Sequence, residues 1–307
     1  AKKGEGDFLV AEADESDGSF MKLCPTIAVV TGLDHEHLDY YKTFETIQAT
    51  FLDFINKIPF YGRAILCGDD PHLRALLPHV EKRVLTYGTE EGLDLIAEEI
   101  AFHEWKTMFR ARLHGKTLGD FHLPAPGVHN VLNALAAIAV GLELEMPVSE
   151  IQKGVQSYQG VQRRFHLQGE QDGVLVVDDY AHHPTEIRAT LQAAKQGWNA
   201  EVAVVFQPHR YTRTRDCLEA LAESFQHADH LILSEIYPAG EKAIPGIDGQ
   251  RLYQAVLNHR QRKTHFLQDR SDIVASLRKI AKPGMVILTL GAGDVWKVGE
   301  AFLKGAG

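Results

Sequence analysis

Short apolar runs recur along this chain, each followed at once by acids, histidines or glycine and then by a longer stretch with helical spacing. The first two are Phe8 to Ala11, in "DFLVAEADESDGSF", and the run that opens "PTIAVVTGLDHEHLD". Apolar runs this short, bounded by turn residues, predict strands, and two that end in polar groups predict neighbours in a buried parallel sheet. The spacing over 43–57 predicts an amphipathic helix, "GRAILCGDD" at 62–70 another strand running into acids, and 71–80 a short helix. Residues 85–125 are mixed, with strand-like alternation in "FRARLHG". "APGVHNVLNALAAIAVGLEL" then predicts a long alanine-rich helix opened by Pro126 and Gly127, with a further helix at 148–157.

"YQGVQRRFHLQG" breaks the pattern and is read as a linker. After it come apolar runs at 174–177, 202–206, 230–233, 264–267 and 285–290, separated by helical stretches such as 185–196 and 214–226. Leu218, Leu221 and Phe225 mark the buried stripe of the second of these helices. Strand and helix in alternation predict an α/β fold of two units with mostly parallel, doubly wound sheets. The boundary is expected between residues 161 and 162, giving domains 1–161 and 162–307.

With 307 residues, 45% hydrophobic and 24% charged, the chain can bury a substantial core in about two domains. Its net charge of −9 provides no overall positive field, so neither nucleic acid nor a membrane surface is an expected partner. Cys24, Cys67 and Cys217 are odd in number and far apart, which fits neither a disulfide framework nor a zinc site and points to a reducing cytoplasm. No apolar run reaches the length of a membrane span, and the opening "AKKGEGDFLV" has too short an apolar stretch for a signal peptide.

In an open parallel sheet the ligand lies outside the carboxyl ends of the strands, so polar residues just after a strand are where a site is built. Asp178, Asp179, Tyr180, His182 and His183 stand there, as do Gln207, His209 and Arg210, and Tyr237 and Glu241. Three successive strand ends are therefore expected to converge on one rim. For a single loop, polar residues that merely cap a helix opened by Pro184 explain the pattern equally well. In the first unit Glu12 and His37 follow neighbouring strands and are the favoured pair for a divalent cation, although such a loop is as readily a solvated surface. Asn130 and Asn133 stand three apart and share a helix face, and His129 with Asn130 also suits first-turn capping. "GAGDVWK" at 291–297 is too short for a dinucleotide fingerprint.

"AEADESDGSF", "PGVHNVLNALAA", "GVQRRF", "VDDYAHHPTEIRATL", "FQPHRYTRT" and "YPAGE", in this order and spacing, resemble the Mur ligase family over nearly the whole chain. The resemblance implies a partial central ATPase-type α/β domain followed by a Rossmann-like domain that brings in the amino acid. It also implies a cytoplasmic enzyme of peptidoglycan synthesis that uses ATP and Mg2+ to join L-alanine to the lactyl carboxylate of UDP-N-acetylmuramate, as a monomer or homodimer. By motif, Glu12 and His37 resemble the magnesium ligands, and Asn130 and Asn133 the pair beside the nucleotide. Arg164 resembles the linker arginine near the phosphates, and Asp179 the acid that the last domain carries into the site. Tyr180, His182 and His183 fall in the alanine-side loop. His209, Arg210 and Arg213 resemble the cluster that meets the substrate carboxylate and the transferred phosphate.

Two departures stand out. Thr31-Gly32 replaces the family's Thr-Asn, and Glu36-His37 its Asp-His. The family's Gly-rich phosphate loop with its lysine has no counterpart here, nor has a UDP-binding domain. Both are expected to precede Ala1, so the chain is read as a ligase fragment. By itself it is expected to ligate no alanine to UDP-N-acetylmuramate, and phosphate release that requires both substrates would refute this. The other readings are a metal-dependent phosphohydrolase using Asp178, Asp179, His182, His183 and His209, and a non-catalytic nucleotide or amino-acid binding remnant.

Overall fold

The computed structural model describes residues 4–259 and 263–305. In the first half, β1 (Ile27–Val30) leads to the one-turn α1 (Leu38–Tyr41) and to α2 (Phe44–Asn56). Thr43 caps α2 by accepting from the Thr46 amide. β2 (Arg63–Cys67), α3 (Pro71–Leu76) and β3 (Val84–Gly88) follow, with Asp70 as the N-cap of α3. β4 (Leu95–His103), β5 (Lys106–Leu113) and β6 (Lys116–Leu123) complete a sheet of order β1-β2-β3-β4-β5-β6. β1 to β4 pair in parallel. The alternation read in "FRARLHG" falls on β5, whose Phe109 and Ala111 are buried. The long helix is α4 (Val128–Glu143), followed by α5 (Val148–Gln156).

Phe8 to Ala11 is not a strand. The segment has no regular structure, with Leu9 92% and Val10 91% exposed. An apolar run becomes a strand only where a neighbouring edge takes up its backbone groups, and β1 pairs only with β2 among the described residues.

The second half begins with β7 (His166–Gln171), an edge strand that starts inside the segment read as a linker and runs past its end. It runs antiparallel to β8 (Val174–Asp179). Then come α6 (Pro184–Gly197), β9 (Val202–Phe206), α7 (Tyr211–Asp216), α8 (Leu218–Ala222), β10 (His230–Leu233) and α9 (Gly249–His259). β11 (Thr264–Phe266), α10 (Arg270–Ile280), β12 (Val286–Leu290) and α11 (Trp296–Leu303) close the chain. The helix expected over 214–226 is thus broken into α7, α8 and a 3-10 turn at Glu223–Phe225. The sheet order is β11-β10-β9-β12-β8-β7, parallel except for β7. α6, α8 and α9 pack through Leu191, Leu221 and Leu252 on one face, and α10 and α11 through Leu277 and Phe302 on the other. The sheet is doubly wound.

By internal contacts the chain forms two units. One holds Ala1–Glu99, Phe109–Phe121 and Leu132–Val155, and the other holds Ile100–Met108, His122–Val131 and Gln156–Gly307. Among the described residues no helix is long and apolar enough to cross a membrane.

At the amino ends of the second sheet Glu201 gathers two lysines and a histidine. It pairs with Lys282, with His230 Nε2 at 2.7 Å and with Lys263 Nζ at 3.2 Å. Lys282 and then His230 hold its carboxyl down at about 2, against an ordinary 4.5. A depressed carboxyl contributes stability that is present above its unfolded pKa and lost as pH falls through the folded one. Glu201→Gln is therefore expected to flatten the loss of stability between pH 4.5 and about 2. Identical acid limbs for the two proteins in a denaturation series would refute this.

Candidate active site at the carboxyl ends of the second sheet

Ligands of open α/β sheets lie where adjacent strands send the chain to opposite faces. Here that point is β12, whose following helix α11 packs on one face while the helices after β8 and β9 pack on the other. The loops after β8, β9 and β10 do meet at this rim. The rings of His182 and His209 lie 5.7 Å apart, and His209 stacks on Tyr237 at 5.7 Å with planes 9° apart. The expected succession of strand ends needs one amendment. β12 stands between β8 and β9, so its own loop, residues 291–294, forms a fourth wall.

The two aspartates that end β8 are committed to the fold. Asp178 is buried, with one oxygen accepting from Thr289 Oγ1 at 2.7 Å and the other from Arg163 Nε at 2.9 Å. Arg163 also donates through Nη2 to the Gly291 carbonyl at 2.6 Å, which ties the 161–165 segment to the β12 loop. Asp179 is buried as well, and its oxygens accept from the amides of Ala181 at 2.8 Å and Phe165 at 2.9 Å. Burial pushes its carboxyl up to about 6, against the opposing pull of those two amides and of Arg164.

Tyr180 lies under two guanidinium groups, Arg163 at 5.0 Å and Arg164 at 5.6 Å from its ring centre. Arg164 Nη1 reaches Glu186 Oε1 at 2.9 Å, and Glu186 Oε2 accepts from the amides of His182 and His183. His183 is buried and serves as the N-cap of α6. His182 is half-buried, its Nδ1 2.9 Å from the Tyr180 carbonyl. Glu186 was missed as a site residue, although an acid three positions after an N-cap is a legible capping signal.

Beyond β9, Arg210 has φ 69° and ψ 140°, a region that costs a non-glycine residue about 1–3 kcal/mol. His209 Nδ1 is 3.3 Å from Arg213 Nη1. Arginine only donates, so this nitrogen accepts and the neutral ring carries its proton on Nε2. Burial, then the charges of His182, Arg213 and Arg210, push His209 down to about 4. Glu241 accepts from the Thr212 amide at 3.0 Å and hydroxyl at 2.6 Å, holding the first turn of α7. Gln207 and Asp294 exchange two bonds, Nε2 to Oδ1 at 3.1 Å and Asp294 N to Oε1 at 2.9 Å, so the Gly-rich turn after β12 is filled from within.

In the first unit His37, at φ 55°, lies 3.4 Å from Glu15 Oε1 through its Nε2. The histidine holds the Glu15 carboxyl below its ordinary value. Glu12 is exposed in irregular chain. His35 stacks on Phe44 at 3.9 Å. A Cβ at Gly32 would lie 3.2 Å from Asp70 Oδ2, which accepts from the Leu33 amide, so a carboxylate occupies the space beside this departure from the family pattern. Asn130 Nδ2 donates to the Pro126 carbonyl at 2.7 Å, and Asn133 is exposed. His129 is pushed down to about 4 by burial and then by Arg164. Among the described residues no three His, Cys, Asp or Glu side chains group closely enough to hold a metal ion unaided.

The Mur ligase middle domain matches residues 1–141, and the Mur ligase glutamate ligase domain matches residues 163–293. The UDP-N-acetylmuramate–L-alanine ligase of Syntrophotalea carbinolica is 51% identical over 99% of this chain and 66% of its own length. That of Geobacter sulfurreducens is likewise 51% identical, with the same coverage. The chain thus spans just under two thirds of these relatives. Among solved structures, the UDP-N-acetylmuramate–alanine ligase of Thermotoga maritima aligns with a TM-score of 0.76 at 25% identity, over 95% of this chain and 62% of that one. The MurF ligase of the same organism, solved with ADP, shares the fold with a TM-score of 0.75 at 23% identity, over 94% of this chain and 64% of that one.

Proposed function

This chain belongs to the Mur ligase family, and we propose that it is the ATP- and amino-acid-side part of an enzyme that joins L-alanine to the lactyl carboxylate of UDP-N-acetylmuramate. One observation carries the reading. A chain half-identical throughout to such ligases gathers His182, His209, Arg210 and Arg213 around the crevice of its second sheet. The boundary between residues 161 and 162, a cytoplasmic location, and a monomer or homodimer belong to the same proposal.

Arg210 and Arg213 supply planar, permanently charged forks suited to a carboxylate or a phosphoryl group. His209, kept neutral by its surroundings, adds no third cation and presents an Nε2 proton. ATP phosphorylates the sugar carboxylate, and the alanine amine displaces phosphate from the acyl phosphate. Asn130, Asn133 and Arg164 face the nucleotide. Asp179 acts from beneath, since one of its oxygens holds the loop that carries Tyr180 and His182 and the other holds the Phe165 amide beside Arg164. His183 likewise acts through the start of α6.

Magnesium is part of the proposal, held by Glu12 and His37. A carboxylate against one nitrogen of an imidazole orients a metal-binding histidine, and Glu15 stands so against His37. An ion of this kind takes most of its ligands from phosphates and water, so two protein ligands would suffice, and when bound it would neutralise phosphate charge. The phosphohydrolase reading is not retained, because Asp178 and Asp179 are spent on Arg163, Thr289 and two backbone amides.

The test is a ligation assay on the full-length protein, with the amide product identified by mass. L-alanine is expected to be preferred, and preference for another amino acid or ATP hydrolysis without amide would overturn the reading. Arg213→Lys is expected to raise the KM for alanine by about 10–100-fold, the weight of a charge-assisted hydrogen bond, with little change in kcat. An unchanged KM would remove Arg213 from the alanine site.

A further inference from the structure

We propose that Tyr237 is a positioning residue of the rim, its ring and backbone together fixing the His209 imidazole and the turn that carries Arg210. Three observations converge on it. The ring lies parallel to His209, 9° between planes. The backbone makes a two-way bridge, Tyr237 N donating to the Pro208 carbonyl at 2.8 Å and Arg210 N to the Tyr237 carbonyl at 2.9 Å. These bonds hold the turn in which Arg210 takes its positive φ. Third, the β12 loop packs directly on the base of the Tyr237 side chain. A Cβ added to Gly293 would sit 2.6 Å from the Tyr237 ring and would also meet Gln207 Oε1. Glycine at 293 therefore lets the β12 loop approach Tyr237 this closely. One residue from the loop after β10 thus ties the loops of β9 and β12, a role that its place after a strand does not by itself assign.

The inference deepens the ligase reading, in which His209 belongs to the alanine site, but its test needs no substrate. The groups facing His209 are His182 from the β8 loop, Arg210 and Arg213 from its own turn and α7, Glu241 from the β10 loop, and Tyr237 itself. The charges of His182, Arg210 and Arg213 stay when Tyr237 is replaced, so a change in titration reports the lost cover and plane. The experiment is an NMR titration of the histidine rings in this chain, wild type beside Tyr237→Phe, Tyr237→Leu and Tyr237→Ala. His230, held by Glu201 at the other end of the sheet, is the internal control.

Tyr237→Phe is expected to leave the His209 titration and its Nε2-protonated tautomer as they are. Tyr237→Ala is expected to raise its pKa by about one unit or more toward the free imidazole and to mix the tautomers, with His230 unmoved. Should the alanine variant lose its fold, seen as His230 shifting too, Tyr237→Leu decides, since it keeps apolar cover without a flat ring and is expected to mix the tautomers. His209 unchanged in both folded variants, or altered as much by phenylalanine as by alanine, would overturn the proposal. If the full-length protein ligated another amino acid instead, the ligase reading would change and these ring titrations would not.

Discussion

Asp178→Ala is expected to destabilise the second unit by about 3–5 kcal/mol, the usual cost of removing one partner from a buried ion pair. The Asp178 side chain is 2% exposed and that of Arg163 28%, so the guanidinium would be left without its carboxylate in a largely dry setting. Thr289, fully buried, would lose the acceptor of its hydroxyl as well. Asp178→Asn keeps an acceptor for Thr289 and gives up only the charge, so its loss is expected to be smaller. Because Arg163 and Asp178 act together, the double replacement with alanine is expected to cost clearly less than the sum of the two single ones. Urea denaturation of the four proteins checks this, and additive losses, or less than about 1 kcal/mol for Asp178→Ala, would show the pair to be incidental.

The second large effect concerns the first unit. In the full-length protein Glu12→Ala and His37→Ala are each expected to lower turnover by orders of magnitude at fixed magnesium. The double variant is expected to be little worse than either, because one ion site is already lost. Glu15→Ala is expected to raise the magnesium requirement by about 10–100-fold and to be rescued by excess metal, as befits a carboxylate that orients a ligand. His35, stacked on Phe44, is expected to tolerate alanine in the same assays. Magnesium binding in the presence of ATP, followed by calorimetry, separates lost affinity from lost chemistry. Were Glu15→Ala as damaging as His37→Ala at saturating magnesium, and Glu12→Ala harmless, Glu15 would have to replace Glu12 as the ligand.

Much of the rim could be read before the fold was known. Tyr180, His182, His209 and Arg210 all stand within a few residues of the strand that delivers them, and a parallel sheet places such residues at its carboxyl edge. Glu15, and the ion pair of Glu186 beyond its legible capping role, were harder to find. Acids crowd residues 12–17, and only the partner that Glu15 reaches, His37, sets it apart, while the reach of Glu186 to Arg164 spans 22 positions.

The sequence by itself determined where the buried strands form in the second unit, because a continuous apolar run is a local pattern that burial on both sheet faces rewards. The runs at 174–177, 202–206, 230–233 and 285–290 each became a strand within two residues of the expected bounds. Only the tertiary structure decided that β12 enters between β8 and β9, that His166–Gln171 pairs as an edge strand, and that Phe8 to Ala11 does not pair. Likewise, nothing local assigns Asp178 to Thr289, 111 positions away, and Asp179 to the amides of Phe165 and Ala181. A strand's neighbours and a carboxylate's donors come from distant parts of the chain, and they meet only when the helices on both faces have packed the sheet into one order.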